Sequence, residues 1–202
     1  MTPFVFEPEA RLRGLRDYVH STDLYEEIAA GAKVADLGLE GPLDFRIRAR
    51  ITHRPRYVFQ AAGEPRGVNA ATCTFTSGGK GYVAIVTETD HLIIERKPYD
   101  EGPAASLSSI AGHKATLEGP TGMRPIEALT ALAVHLHKTT LPPPPDRRWM
   151  LGQLITSRAL VAKDASLLTL EIDKQISNAT TRIRITAHDG VVGSMIFILA
   201  KR

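Results

Sequence analysis

The stretch that decides the fold is GHKATLEGPTGMRPIEAL, which runs from Gly112 to Leu129. It places His113 fourteen positions ahead of Glu127, with a glycine-proline turn between them and an apolar segment that begins at the glutamate. Histidine titrates near neutral pH, and Glu127 would occupy the first turn of a helix whose N-terminal dipole polarises a carbonyl. The spacing therefore indicates that a base, an acid and an electrophilic helix end could share one pocket.

The segment after this stretch predicts a buried helix and then a sheet. From Pro125 to about Lys138 the chain is apolar on nearly every face, which is typical of a helix enclosed by other elements. Four candidate strands follow, at Trp149–Ala162, Ser166–Ile176, Ala179–Ala187 and Val191–Ala200. Asp189-Gly190 predicts a two-residue hairpin turn. Thr181, Ile183 and Ile185 alternate with Arg182 and Arg184. This alternation predicts a strand with one face packed against the core and the other exposed to solvent.

Residues 112–129 resemble the active-site segment of the β-hydroxyacyl-ACP dehydratases of the hot-dog superfamily. Gly112, His113, Gly122, Glu127, Ala128 and Leu129 match the family pattern without a gap. Lys114, Ala115 and Thr116 replace the family's Phe-Pro-Gly, and Arg124 replaces an apolar residue. The resemblance covers about residues 105–200 and implies an α+β hot-dog fold, in which an antiparallel sheet wraps around a long central helix.

The chain is predicted to be a single hot-dog domain over residues 1–202, with its core at 105–200. Residues 1–42 form a helical extension, in which Pro8–Val19 and Leu24–Ala30 are helices on the outside and Asp23 is the N-cap of the second. Residues 43–104 add strands at Leu43–Ile51, Tyr57–Gln60, Ala70–Thr76, Tyr82–Thr87 and Leu92–Lys97. These strands could extend the sheet edge, form a lid or be a degenerate second half, and periodicity does not distinguish the three.

Composition excludes several classes of protein. The 43% hydrophobic content suffices for a compact core, and the single cysteine, Cys73, excludes an intramolecular disulfide and a cysteine-based zinc site. This cysteine usage predicts a reducing cytoplasm, and the longest apolar run, Val191–Ala200, is too short for a membrane span. The net charge of +3 is spread through the chain without a DNA-reading helix, so nucleic acid is not a predicted partner.

The resemblance implies roles for the residues that match. His113 would be the base that takes the α-proton of a 3-hydroxyacyl thioester, Glu127 the acid that helps the hydroxyl leave, and backbone amides near Gly122 the donors to the thioester oxygen. Gly122 and Arg124 are the predicted substrate-binding residues. The substrate would be linked to acyl carrier protein or coenzyme A, in fatty acid or polyketide metabolism. The protein would be a homodimer, and no cofactor or metal is predicted.

Three other functions stay open on the sequence. One is a related addition or elimination lyase of secondary metabolism. An acyl thioesterase would use Glu127 to orient water and would depend less on His113. A non-catalytic hot-dog binding or scaffold protein would keep the fold alone, which the charged Lys114 and Arg124 and the missing prolines favour. In that case Glu127 would be a helix N-terminal carboxylate that stabilises the dipole by about 0.3–1 kcal/mol.

Overall fold

The computed structural model describes residues 2–63 and 68–201. The chain divides into two compact units, residues 1–99 and 100–202. Each unit contains one long helix and an antiparallel sheet. That residues 1–202 form one domain stays a prediction. The first 42 residues and the strands that follow them belong to the N-terminal unit.

Five strands form the main sheet of the N-terminal unit. They are β1 (Phe4–Phe6), β3 (Glu40–Ile47), β4 (His53–Ala61), β5 (Ala71–Ser77) and β6 (Lys80–Leu92). Their order is β1-β4-β6-β5-β3, and each pairs antiparallel with its neighbour. Four of the predicted upstream strands correspond to β3–β6. Cys73 is buried on β5, and burial raises the pKa of its thiol to about 12, with a smaller contribution from the charge of Asp44.

The helix of this unit is α1 (Ser21–Val34), which is longer and more buried than predicted. His20, and not Asp23, is the N-cap, because the His20 side chain accepts a hydrogen bond from the Thr22 N–H. Ile28 is buried, and a β-carbon built on Gly31 would lie 2.6 Å from the Phe59 ring of β4. The expectation of an outer helix is therefore wrong, since α1 packs tightly against its own sheet.

The predicted helix at Pro8–Val19 is also wrong. This segment contains the short strand β2 (Leu12–Arg13), which pairs in parallel with β7 (Arg96–Lys97). The N–H groups of Leu12 and Gly14 donate to the carbonyls of Glu95 and Lys97, both at 2.9 Å. These pairings use backbone donors that a helix would need, and Gly14 has a φ of 55°, which is left-handed. Of the strand predicted at Leu92–Lys97, only Arg96–Lys97 forms β7.

The C-terminal unit contains a long helix that begins at Pro125, where the sequence predicts one. After a short α2 (Gly102–Ser106), α3 spans Pro125–Thr140, close to the predicted range. The buried positions of α3 cover most of the helix circumference, apart from the stripe of Glu127, Val134 and Lys138: Ile126, Ala128, Leu129, Thr130, Ala131, Leu132, Ala133, Leu136 and His137. The His137 ring packs against Trp149 and Phe197 of the sheet. The all-round apolar pattern therefore predicted a buried helix correctly.

The strands of the C-terminal unit are β8 (Ser108–Ala111), β9 (Lys114–Leu117), β10 (Arg147–Thr156), β11 (Thr169–Ser177), β12 (Thr180–Ala187) and β13 (Gly190–Lys201). Their antiparallel order is β10-β13-β12-β11-β9-β8. Thr181, Ile183 and Ile185 are fully buried, which confirms the predicted alternation. Antiparallel sheets with few helices are consistent with a hot-dog fold.

Two details of this sheet differ from the prediction. The strand expected at Trp149–Ala162 ends at Thr156, and a 3-10 helix follows at Ala162–Ser166. Ala187 pairs with Gly190, so the hairpin turn is His188-Asp189, one residue earlier than predicted. Gly190 opens β13 with a φ of 115°, a conformation that favours glycine. Among the described residues, no helix is long and apolar enough to span a membrane.

Candidate functional site

His113 lies in a tight turn at the tip of the β8–β9 hairpin. Ala111 pairs with Lys114, so Gly112 and His113 are the two turn residues, and Gly112 has the positive φ, 57°, that such a turn requires. The His113 carbonyl accepts a hydrogen bond from the Ile172 N–H at 2.9 Å, which fixes the hairpin beside β11. Its side chain is exposed and makes no hydrogen bond or ion pair with other described residues.

Glu127 lies in the first turn of α3 and pairs with the N-cap residue, Arg124. The Arg124 N–H donates to Oε2 of Glu127 at 3.3 Å, and Nη2 of the guanidinium donates to Oε1 at 2.7 Å. The Glu127 side chain is 14% exposed, whereas that of Arg124 is 46% exposed. A carboxylate that accepts a charged donor beside a helix N-terminus is favoured in its ionised form. Glu127 is therefore a largely buried, charged group.

Gly122 shapes the loop that leads into α3. Its φ is 70°, so a side chain there would strain the backbone. The neighbouring Met123 N–H donates to the Thr121 hydroxyl at 3.1 Å, and this hydroxyl donates to the Ala165 carbonyl at 3.4 Å. The loop is thereby tied to the 3-10 helix, which fixes the approach to the N-terminal end of α3.

The structure brings two of the four predicted site residues into contact. Arg124 and Glu127 form an ion pair, and Gly122 lies two residues before Arg124 in the same loop. Within the described part of the chain, no hydrogen bond or ion pair joins the His113 side chain to Glu127. The acid–base pair of His113 and Glu127 stays a prediction.

A second polar cluster was not predicted. Arg158 donates to Asp164 at 2.8 and 3.0 Å and to Asp189 at 2.9 and 2.6 Å. Nδ1 of His188 donates to Asp164 at 3.1 Å, and the Val161 N–H donates to the same carboxylate at 2.8 Å. Asp164 is fully buried. The cluster connects the 3-10 helix to the β12–β13 turn through residues up to 31 positions apart, so no local spacing could have indicated it.

The electrostatics of this cluster favour ionised carboxylates. Burial opposes the charge of Asp164, but hydrogen bonds from Arg158, Val161 and His188 outweigh it and lower the pKa of Asp164. Arg158 also lowers the pKa of Asp189 to about 2. Asp164, His188 and Asp189 have metal-ligand atoms within 4.8 Å of one another. The Arg158 guanidinium already neutralises both carboxylates, so these residues do not fit a metal ion in this arrangement.

Asp23 is the centre of a buried cluster in the N-terminal unit. Arg13 donates to its carboxylate at 2.7 and 2.5 Å, and Lys97 donates at 2.8 Å. Burial raises the pKa of Asp23, but these donors outweigh burial and the pKa is lowered. The cluster links β2 and β7 to the first turn of α1, which is a structural role. Asp23 was predicted as an N-cap, and its buried partners could not be read from the sequence.

His137 is a buried, neutral histidine of α3. One ring nitrogen, Nδ1, lies 2.8 Å from the Ala133 carbonyl, which can only accept, so Nδ1 holds the proton. The other, Nε2, then accepts from the Thr181 hydroxyl at 2.7 Å. Burial lowers the pKa of His137 to about 4, and the bond to Ala133 opposes this shift. Nδ1 is bonded within α3 and Nε2 joins α3 to the sheet, so both ring nitrogens have a structural role.

No family model matches the chain, and no curated protein matches it. Among solved structures, the chain is similar to a hot-dog fold protein of unknown function from Alicyclobacillus acidocaldarius, with 12% identity, 99% of this chain and 93% of that chain covered, and a TM-score of 0.49. An acyl-ACP thioesterase from Bacteroides thetaiotaomicron is 9% identical, with 98% of both chains covered and a TM-score of 0.45. The dehydratase domain of the polyketide PpsC from Mycobacterium tuberculosis is 11% identical, with 99% and 93% covered and a TM-score of 0.46.

Proposed function

We propose that the protein acts on an acyl thioester at the N-terminal end of α3, with Glu127 as the central carboxylate. The observation that supports this most is the Arg124–Glu127 pair, which holds an ionised, largely buried carboxylate at the positive end of a buried helix. A buried charge is costly unless it is paired, and a functional site is one usual reason to keep one. Here Arg124 offsets that cost and fixes the carboxylate in place.

The reaction that this arrangement favours is hydrolysis. An ionised Glu127 can accept a proton from a water molecule as the water oxygen attacks the thioester carbon. First-turn N–H groups of α3, such as that of Ile126, would stabilise the negative charge on the thioester oxygen. The carbon–sulfur bond then breaks, and the thiolate that leaves takes up the proton held by Glu127. This is the thioesterase alternative, with Arg124 as the positioning residue.

The second candidate is dehydration of a 3-hydroxyacyl thioester by His113 and Glu127, or the reverse reaction, hydration of the enoyl thioester. The exposed His113 side chain, which bonds to no other residue in the described ranges, favours it, because a base must be able to reach the α-proton of a substrate. Glu127 would have to be protonated to help a hydroxyl leave, and the ion pair with Arg124 opposes protonation. Hydrolysis is therefore the better supported reaction.

The carrier and the setting complete the proposal. Arg124 is about half exposed, and a guanidinium binds phosphate well, so acyl carrier protein or coenzyme A would approach from this side. A homodimer in the cytoplasm, working in fatty acid or polyketide metabolism, is the expected context. In a scaffold protein, Arg124 and Glu127 would bind no substrate.

A panel of saturated, enoyl and 3-hydroxyacyl thioesters tests the proposal, with thiol release and dehydration followed separately. We expect the wild-type protein to release thiol and the Glu127→Gln variant to lose this activity. The matched control is Glu171→Gln, since Glu171 is an exposed glutamate that also pairs with an arginine, Arg184, at 3.6 Å. Dehydration without thiol release favours the second candidate, and no reaction with any thioester favours a binding or scaffold protein.

A further inference from the structure

A buried hydroxyl lies one turn further along α3 from Glu127. Thr130 is 3% exposed, and its Oγ1 has no hydrogen-bond partner among the residues that the structure describes. Buried hydroxyls usually have a partner, because leaving one unbonded is costly. Thr130 therefore has an unused donor close to the proposed site.

The hydroxyls of other threonines on this helix are bonded within the helix. Thr139 and Thr140 donate to the carbonyls of His135 and Leu136, four residues earlier, at 3.0 and 2.8 Å. Thr130 makes no such bond to the carbonyl of Ile126. A helical threonine commonly satisfies its hydroxyl this way, so Thr130 differs from Thr139 and Thr140 in not using its hydroxyl within the helix.

Helix geometry directs Thr130 toward the proposed site and the sheet. Residues three apart share a helix face, and every Cα–Cβ bond tilts toward the helix N-terminus, so the Thr130 side chain leans over the turn that contains Glu127. Two turns further along the same stripe, His137 bonds to Thr181 of the sheet. Thr130 thus shares a helix stripe with a residue that contacts the sheet, and we expect an acyl chain that enters beside Glu127 to follow this stripe.

We propose that Thr130 determines substrate specificity by donating a hydrogen bond to an oxygen on the acyl chain, an inference that rests on the proposed function. Thr130 is about 4.5 Å beyond Glu127 along the helix axis. An extended acyl chain zigzags and advances about 1.25 Å per carbon–carbon bond of about 1.5 Å, so that distance corresponds to about three to four bonds. With the thioester carbon level with Glu127, the oxygen is on C4 or C5. The preferred substrate class is an oxygenated acyl thioester rather than a plain hydrocarbon one.

The test compares 4-oxo and 5-oxo acyl thioesters with unsubstituted thioesters of equal length. Wild-type protein is expected to have a higher kcat/KM for an oxo substrate. Thr130→Val keeps the shape and removes the hydroxyl, so it should lower this preference about 3- to 10-fold, the usual effect of losing one neutral hydrogen bond. Thr130→Ser keeps the hydroxyl and should keep the preference. Thr139→Val is the control on an exposed helical threonine.

Binding is measured separately from turnover, by the rise in Tm that each thioester gives with the Glu127→Gln protein. The inference predicts a larger rise with the oxo thioester, which the added Thr130→Val change removes. The inference is overturned if the wild-type protein turns over oxo and unsubstituted thioesters at equal rates and Thr130→Val leaves both rates unchanged. Oxo-selective binding without turnover of any thioester by wild-type protein contradicts the proposed function and supports the role of Thr130.

Discussion

Nη2 of Arg124 lies 2.7 Å from Oε1 of Glu127, three residues along the first turn of α3. This contact makes Glu127 different from an ordinary carboxylate at a helix end, because Glu127 is mostly buried and a cation fixes its position. The pair lies where a helix N-terminus favours negative charge. The Glu127 carboxylate is therefore held in a fixed position at the N-terminus of α3, and a helix N-terminus also stabilises a developing oxyanion.

Arg124→Gln should lower kcat/KM for thioester hydrolysis about tenfold. The change removes a charge-assisted hydrogen bond, a kind of interaction that contributes about 1.5–3 kcal/mol, and leaves Glu127 less well positioned. Steady-state kinetics measure the effect, and Arg182→Gln on the exposed face of β12 serves as the control. An unchanged rate in Arg124→Gln would remove Arg124 from the mechanism.

The His137 environment predicts acid-sensitive stability. The folded-state pKa of about 4 is below the unfolded value of about 6.5, so the unfolded chain takes up the proton first and stability falls as pH falls through this window. The loss should reach on the order of 3 kcal/mol at pH 4. Urea unfolding at pH 7, 5.5 and 4 measures it. His137→Gln should flatten this part of the pH dependence, and an equal slope in both proteins would argue against a neutral buried His137.

Gly31→Ala should destabilise the N-terminal unit. The new β-carbon would lie 2.6–2.8 Å from the rings of Phe59 and Phe6, and Phe59 is fully buried and cannot move aside freely. Overpacking of this kind costs about 1–3 kcal/mol, against a gain of about 1 kcal/mol in helix propensity. Thermal unfolding checks the prediction. Gly119→Ala, where a β-carbon meets nothing within 4 Å, is the control and should leave Tm unchanged.

Asp164→Asn should cost about 3 kcal/mol of unfolding free energy at pH 7, because it breaks a pair that a fully buried carboxylate makes with Arg158. The lowered pKa means that this stabilisation is complete above the ordinary value of 3.8 and is lost as pH falls through the folded pKa. Chemical denaturation measures it, with the exposed Asp146→Asn as control. A chelator should leave the stability unchanged, and a clear loss on chelation would instead indicate a metal at Asp164.

The sequence predicted the parts of the fold that local patterns determine. The all-round apolar run after Pro125 predicted α3, and the alternation along Thr181–Ile185 predicted the buried face of β12. The helix expected at Pro8–Val19 failed because Leu12 and Gly14 bond to carbonyls more than 80 residues away. No local pattern reports such a pairing.

The sequence indicated Arg124 and Glu127 as candidate site residues, but their contact was not predicted. Arg124 and Glu127 are three residues apart, so their contact follows from helix geometry. Arg158, Asp164 and Asp189 come together only because the 3-10 helix and the β12–β13 turn meet in the fold. The sequence could not indicate the hydroxyl of Thr130, because its lack of a partner within residues 2–63 and 68–201 depends on packing.

The most direct test of the central claim compares Glu127→Gln, His113→Ala and the double variant in thiol release from an acyl thioester, with His91→Ala as the exposed histidine control. The proposed function predicts that Glu127→Gln lowers kcat by roughly 10²–10⁴, as expected for a positioned proton-transfer group. It also predicts that His113→Ala has little effect and that the double variant equals Glu127→Gln. Equal, large and non-additive losses in both single variants would contradict hydrolysis centred on Glu127 and would favour the paired dehydratase mechanism.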